Sequence, residues 1–211
     1  MKSFLILIIT VLQSLCLCSC SSPPPSSSDN ITPTDLQETT DCWQVLCAKD
    51  KTATIVKSNF PNNSYSYELK QANEKYDVFL TCSEDIGIIV SDSDQREIQQ
   101  IDVEFQTDCA ENPIQFIDFN QDGYADIWIN LGGTLNSCSI VYLWDSDAYA
   151  FEQVLYDGFL SYFEVHENYI QNWIKESAQT VIVQTLIWCD SHTLKLESEV
   201  IFDVETGEIL P

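Results

Sequence analysis

Between Ala53 and Val204 this chain is a succession of short segments rich in β-branched and aromatic residues, each closed by a polar turn. Ala53–Lys57, Tyr76–Thr81, Ile86–Val90, Ile98–Phe105, Ser139–Trp144, Phe151–Tyr156, Leu160–Val165, Tyr169–Trp173, Val181–Trp188 and Leu194–Val204 all have strand composition. Asn62-Asn63, Asp92-Ser93-Asp94, Asp145-Ser146-Asp147, Asp190-Ser191-His192 and Glu205-Thr206-Gly207 supply residues that bend a chain cheaply. Strands this short at this spacing predict an all-β, single antiparallel domain, built as a β-sandwich or as propeller-like blades. One short helix is expected near Asp35–Trp43.

Within that series, residues 118–126 read Asp-Phe-Asn-Gln-Asp-Gly-Tyr-Ala-Asp. Asp118, Asn120 and Asp122 place an oxygen-bearing side chain at every second position, Gly123 follows at the bend, and Asp126 closes the run. A hard cation such as Ca²⁺ takes six to eight oxygens, at roughly 2.3–2.6 Å. A tight loop supplies them from its first, third and fifth side chains, the carbonyl of its seventh residue (Tyr124) and its ninth side chain (Asp126). Glycine at the sixth position accepts the positive φ of the bend. The competing reading is a solvated turn rich in Asp and Asn. An EF-hand would carry a bidentate Glu where this chain has Ile129. Ile114, Phe116 and Phe119 lead in, while Ile127, Ile129 and Leu131 alternate with Trp128 and Asn130, so the loop is expected between two strands.

The loop and its strand flanks resemble the FG-GAP and VCBS-type calcium loops of β-propeller proteins. The likeness runs on through Gly132-Gly133, Ser139–Asp145 and Ala150–Glu152. Over about residues 110–156 the chain is similar to a family of small bacterial lipoproteins with a propeller-like domain. Some of its members are immunity proteins that inhibit lysozyme-type toxins. The resemblance implies a propeller-like arrangement, one structural Ca²⁺ and a lysozyme-like hydrolase as a partner class.

The amino terminus bears on location. Lys2 precedes the apolar run Phe4–Leu12, which has the length of a signal-peptide core and falls short of a membrane span. Leu17-Cys18-Ser19-Cys20 resembles a bacterial lipobox. That resemblance implies a signal peptide over residues 1–19 and lipid attachment at Cys20; an ordinary secretory signal cut nearby is the alternative. Residues 20–35, rich in Ser and Pro, are expected to form a disordered tether. Residues 36–211 then make one domain. The product would be exported and lipid-anchored to a bacterial cell membrane, facing the periplasm or the surface where the host has an outer membrane.

Cys42, Cys47, Cys82, Cys109, Cys138 and Cys189 remain once the signal and the anchor are set aside. An even number in an exported chain implies up to three disulfides, and six cysteines allow fifteen pairings. Cys109 and Cys138 bracket the loop hairpin and are the expected pair, with Cys42 and Cys47 pairing locally. Zinc is disfavoured because the sequence holds no Cys-x-x-Cys.

The formal net charge is −24. That field excludes nucleic acid and anionic headgroups as natural partners, keeps the chain soluble, and attracts cations and basic proteins. His166 and His192 are the only histidines, both in polar surroundings, and no nucleophile-elbow, zinc-protease, Walker or dinucleotide motif occurs. A carboxylate pair of the glycosidase kind is the one catalytic reading left open among so many acids. Trp43, Trp128, Trp144, Trp173 and Trp188 are expected to pack, with a sugar-stacking platform as the alternative. The sequence therefore points to a non-catalytic binding protein with structural Ca²⁺. The alternatives are a lysozyme inhibitor and a glycan-binding or glycosidase domain.

Overall fold

Tyr65, Tyr67, Leu69 and Gln71 are buried, while the intervening Ser64, Ser66, Glu68 and Lys70 face outward. That period of two is what makes Ser64–Gln71 a strand with one wet face. The chain is known from a computed structural model, which describes residues 40–46, 52–60, 64–71, 73–82, 85–104 and 114–210. The signal, Cys20, the tether, Cys47 and Cys109 lie outside these residues, as does the side chain of Cys42. The described strands belong to one compact unit, Glu38–Pro211.

The first sheet is an antiparallel meander of six strands: β1 (Thr40–Leu46), β2 (Thr52–Phe60), β3 (Ser64–Gln71), β4 (Glu74–Cys82), β5 (Ile86–Ser91) and β6 (Glu97–Val103). The second has four strands in the order β10 (Ala150–Gln153), β9 (Ser139–Asp145), β8 (Asp126–Asn130) and β7 (Ile114–Ile117). The third runs β11 (Tyr162–Val165), β12 (Ile170–Lys175), β13 (Thr180–Trp188), β14 (Leu194–Asp203) and β15 (Ile209–Leu210). The fold is all-β, with no helix among the described residues.

The helix expected near Asp35–Trp43 gives way to β1, which pairs with β2 from Thr40 opposite Ser58 to Leu46 opposite Thr52. Thr, Trp and Val suit a pleated strand, and the edge of β2 offers backbone partners that a lone helical turn would lack. β3 is absent from the sequence expectation because its exposed face carries Ser, Glu and Lys where β-branched residues would have marked it.

The second sheet lies between the other two, and its sequence shows why. Val141 and Leu143 enter one apolar cluster with Phe119, Ile170, Leu186 and Leu194. Tyr142 and Trp144 enter another with Tyr67, Leu80, Ile88 and Ile127. A strand buried on both faces needs a continuous apolar run, and Ile140–Trp144 is one. Neither cluster joins the first sheet directly to the third. The sheets are therefore stacked layers and do not close into the propeller ring that the resemblance implied.

Side-chain amides fasten the layers where strand ladders end. Gln99 of β6 donates to the carbonyl of Phe151 and accepts its N–H, both at 2.8 Å. Asn136 does the same for Lys175 at 3.0 and 2.6 Å. Asn172, fully buried, accepts from the N–H of Ser161 at 2.8 Å and donates to the carbonyl of Phe159 at 3.0 Å. The Asn172 pair satisfies backbone groups that burial would otherwise leave unmatched, while the Gln99 and Asn136 pairs sit nearer the surface.

Cysteine pairing departs from expectation. Cys82 is disulfide-bonded, but Cys138 and Cys189 are free thiols. The Cys109–Cys138 bridge is thus not formed, and three disulfides are not reached. Cys138 instead packs against the first cluster as a small apolar side chain. Its backbone closes the Gly132–Ser137 loop through the Gly132 carbonyl at 2.9 Å.

Candidate metal centre

The acidic loop joins β7 to β8, and both of its ends are nailed down. Phe119 is fully buried in one cluster, against Phe163 and Trp188 at 5.2 and 5.9 Å between ring centroids. Ala125 and Ile127 are fully buried in the other. The loop reverses through Gln121 at φ 59° and Gly123 at φ 93°. Gly123 therefore takes the positive φ that its position requires.

Three side chains then act as posts around which the loop is wound. Gly123 N–H donates to Asp118 Oδ2 at 3.2 Å, Asp122 N–H to Asn120 Oδ1 at 3.1 Å, and Tyr124 N–H to Asp122 Oδ1 at 2.8 Å. Asn120 Nδ2 donates to the other Asp122 oxygen at 3.0 Å. The sequence named Asp118, Asn120, Asp122 and Tyr124 from spacing alone, and the fold brings them together.

Asp126 plays a different part. It is fully buried, and both its oxygens accept backbone hydrogens, Oδ2 from Phe119 at 2.7 Å and Oδ1 from Trp144 at 2.8 Å. Burial drives its carboxyl well above the ordinary carboxylate range. The two amide donors pull it back, and the charges of Asp122 and Asp118 add to the rise. Gln71, fifty-four residues upstream on β3, accepts the N–H of Ala125 at 2.8 Å and ties the loop to the first sheet. Nothing within 118–126 signals Gln71; only the packing of the first sheet on the second brings it there.

The donors offered by Asp118, Asn120, Asp122 and the Tyr124 carbonyl are all oxygens, which suits a hard cation. Among the described residues, no group of three or more His, Cys, Asp and Glu side chains is gathered as a metal cage. The loop's donors suit Ca²⁺ by type, but its aspartates are not gathered around one point, and Asp126, expected as the ninth-position ligand, is turned to the interior as the loop's anchor.

Asn120 and Asp122 open onto a cleft of about 260 Å³, shared with Asp145, Asp147, Glu152 and His192. His192 Nδ1 lies 3.7 Å from Glu152 Oε2 and 3.8 Å from Asp190 Oδ1. His166 sits elsewhere, stacked on Tyr169 at 4.4 Å between β11 and β12. The tryptophans are spent mainly on packing. Trp144 lies against Tyr76 and Phe151, and Trp128 and Trp188 border the other cluster. Trp173 is half-buried on β12, and the side chain of Trp43 lies outside the described residues.

No family model and no curated protein matches the chain. Among solved structures it is similar to one titled "Structure of a Xanthomonas Type IV Secretion System related protein". The TM-score is 0.44 and the identity 12%, over 82% of this chain and 98% of that one. A likeness this slight carries no argument about what the chain does.

Proposed function

We propose that this chain is a non-catalytic binding module, exported and lipid-anchored through Cys20 at a bacterial cell envelope, whose central hairpin is locked by one Ca²⁺. The observation that carries the reading is the winding of residues 118–124 around Asp118, Asn120 and Asp122, pinned between two cores by Phe119 and Asp126. A cation there joins three layers by stiffening the hairpin between them, which is a structural task. The disulfide at Cys82 accords with an oxidising compartment. The net charge of −24 favours a basic protein as the bound partner.

A lysozyme-like hydrolase is the basic partner that the family resemblance supplies. Calorimetric titration in calcium, with cell-wall turbidity read in parallel, against a panel of unrelated lysozymes tests it. Tight one-to-one binding with loss of lysis establishes an inhibitor. Binding without inhibition keeps the module and removes the inhibitor, and no binding across the panel removes this partner class.

A further inference from the structure

The third sheet carries a groove that the metal loop does not use. It measures about 430 Å³ and is walled by Tyr156, Phe159, Ile174 and Leu196, with Gln184 at its floor. Sites of roughly 300–1,000 Å³ are the size that ligands and inserted side chains occupy. Phe159 is 39% and Leu196 46% exposed, so two large apolar side chains of the groove wall are open to solvent.

The groove is built in advance. Gln184 is buried, and its Oε1 accepts from Tyr156 Oη at 3.2 Å and from Asn172 Nδ2 at 3.0 Å. Its Nε2 donates to Glu199 at 2.8 Å. Asn172 in turn grips the carbonyl of Phe159, so the wall and the floor belong to one network. A groove held this way loses little freedom on binding.

Chemistry narrows the occupant. The polar floor is satisfied from within, so it offers few hydrogen bonds to a sugar, whereas an apolar side chain needs none. Asp157 stands on the rim. Glu199, bound to Gln184 Nε2, is a second acid beside the groove. Lys195 is the one cation lining the groove. A net charge of −24 repels a second copy and anionic lipid, and it attracts a basic surface.

We propose that this groove docks a basic protein partner through a leucine- or phenylalanine-sized side chain flanked by lysine or arginine. The proposal rests on the binding-module reading and names where that partner sits. The test titrates the full chain with acetyl-Lys-Lys-Leu-Lys-Lys-amide and follows backbone amide chemical shifts. The expected result is saturable change at Gly158, Phe159 and Leu196. Affinity should be roughly tenfold weaker for Phe159→Ser or Leu196→Ser, the loss of one apolar contact. It should also be weaker for the Glu-flanked and Ala-centred peptides.

Equal binding of the Glu-flanked peptide, shifts elsewhere, no saturable change, or a concentration-dependent shift of the same amides without peptide would each overturn it. The last of these would mark a face for a second copy. If a lysozyme of the panel binds wild type and Phe159→Ser alike, the groove proposal falls and the binding-module reading stands.

Discussion

The loop at 118–126 and the turn at 203–207 both begin on an aspartate, and they use it differently. Asp203 Oδ1 alone accepts Glu205 N–H at 2.9 Å, Thr206 N–H at 2.8 Å and Thr206 Oγ1 at 3.1 Å. The turns at Asp145 and Asp190 repeat this economy, each with one carboxylate oxygen taking two amides. One aspartate outside the core is therefore enough to reverse this chain between strands. The 118–126 loop spends Asp118, Asn120 and Asp122 on the same reversal and adds a buried Asp126. Anionic groups beyond what a turn requires repel one another and resist burial. A cation held by Asp118 and Asp122 would offset that cost, as the proposed Ca²⁺ does.

The largest expected effect comes from removing the anchor. Asp126→Ala leaves the Phe119 and Trp144 amides buried without acceptors, at a cost of about 3–5 kcal/mol. Asp203→Ala, at the exposed turn, should cost far less. Urea midpoints at neutral pH measure both, and similar losses would erase the distinction between the two regions.

Calcium comes next. At a hundredfold excess over Kd a ligand stabilises by about 2.7 kcal/mol, which at roughly 2–4 °C per kcal/mol is a shift of several degrees. Asp122→Ala should melt alike in calcium and in chelator, while Asp145→Ala should keep the wild-type difference. Wild type melting identically under both conditions would sink the site.

Backbone geometry separates the regions by less. Gly123 holds φ 93°, beyond the left-handed helical well, whereas Gly207 holds φ 70°, nearer to it. Gly123→Ala should cost about 1–2 kcal/mol and weaken the calcium response. Gly207→Ala should cost less and leave that response alone. Thermal melts of the two variants, each with and without calcium, decide the matter.

What the sequence disclosed follows the same divide between local and distant causes. Strand periodicity in Ile86–Val90 and in Ile127–Leu131, the wound posts of the loop and the positive φ of Gly123 are local consequences of residue type and spacing. The double burial of β9 is legible in its unbroken apolar run. Gln71 and the inward turn of Asp126 are not, because their partners are Ala125, brought by packing between sheets, and Trp144, brought by the pairing of β8 with β9. The ring expected from resemblance failed for a related reason. Whether the outer layers meet is decided by contacts between sheets, which no single motif encodes.

The smallest effect is a pH signature at the exposed turn. The amides of Thr206 and Glu205, with the Thr206 hydroxyl, hold the Asp203 carboxyl below the usual carboxylate range, the Thr206 amide contributing most. A carboxyl that is more acidic folded than unfolded adds stability above its unfolded pKa, about 3.9. That contribution is lost as pH falls through the folded value. The urea midpoint of wild type should therefore exceed that of Asp203→Ala at neutral pH, and the gap should narrow as pH falls below the unfolded carboxyl value. A gap that stays constant would mean that the turn is held by acceptor geometry alone, with no part played by the charge. The turn and the loop would then differ in burial alone, and only the calcium melts would distinguish a cation-binding loop from a plain reversal.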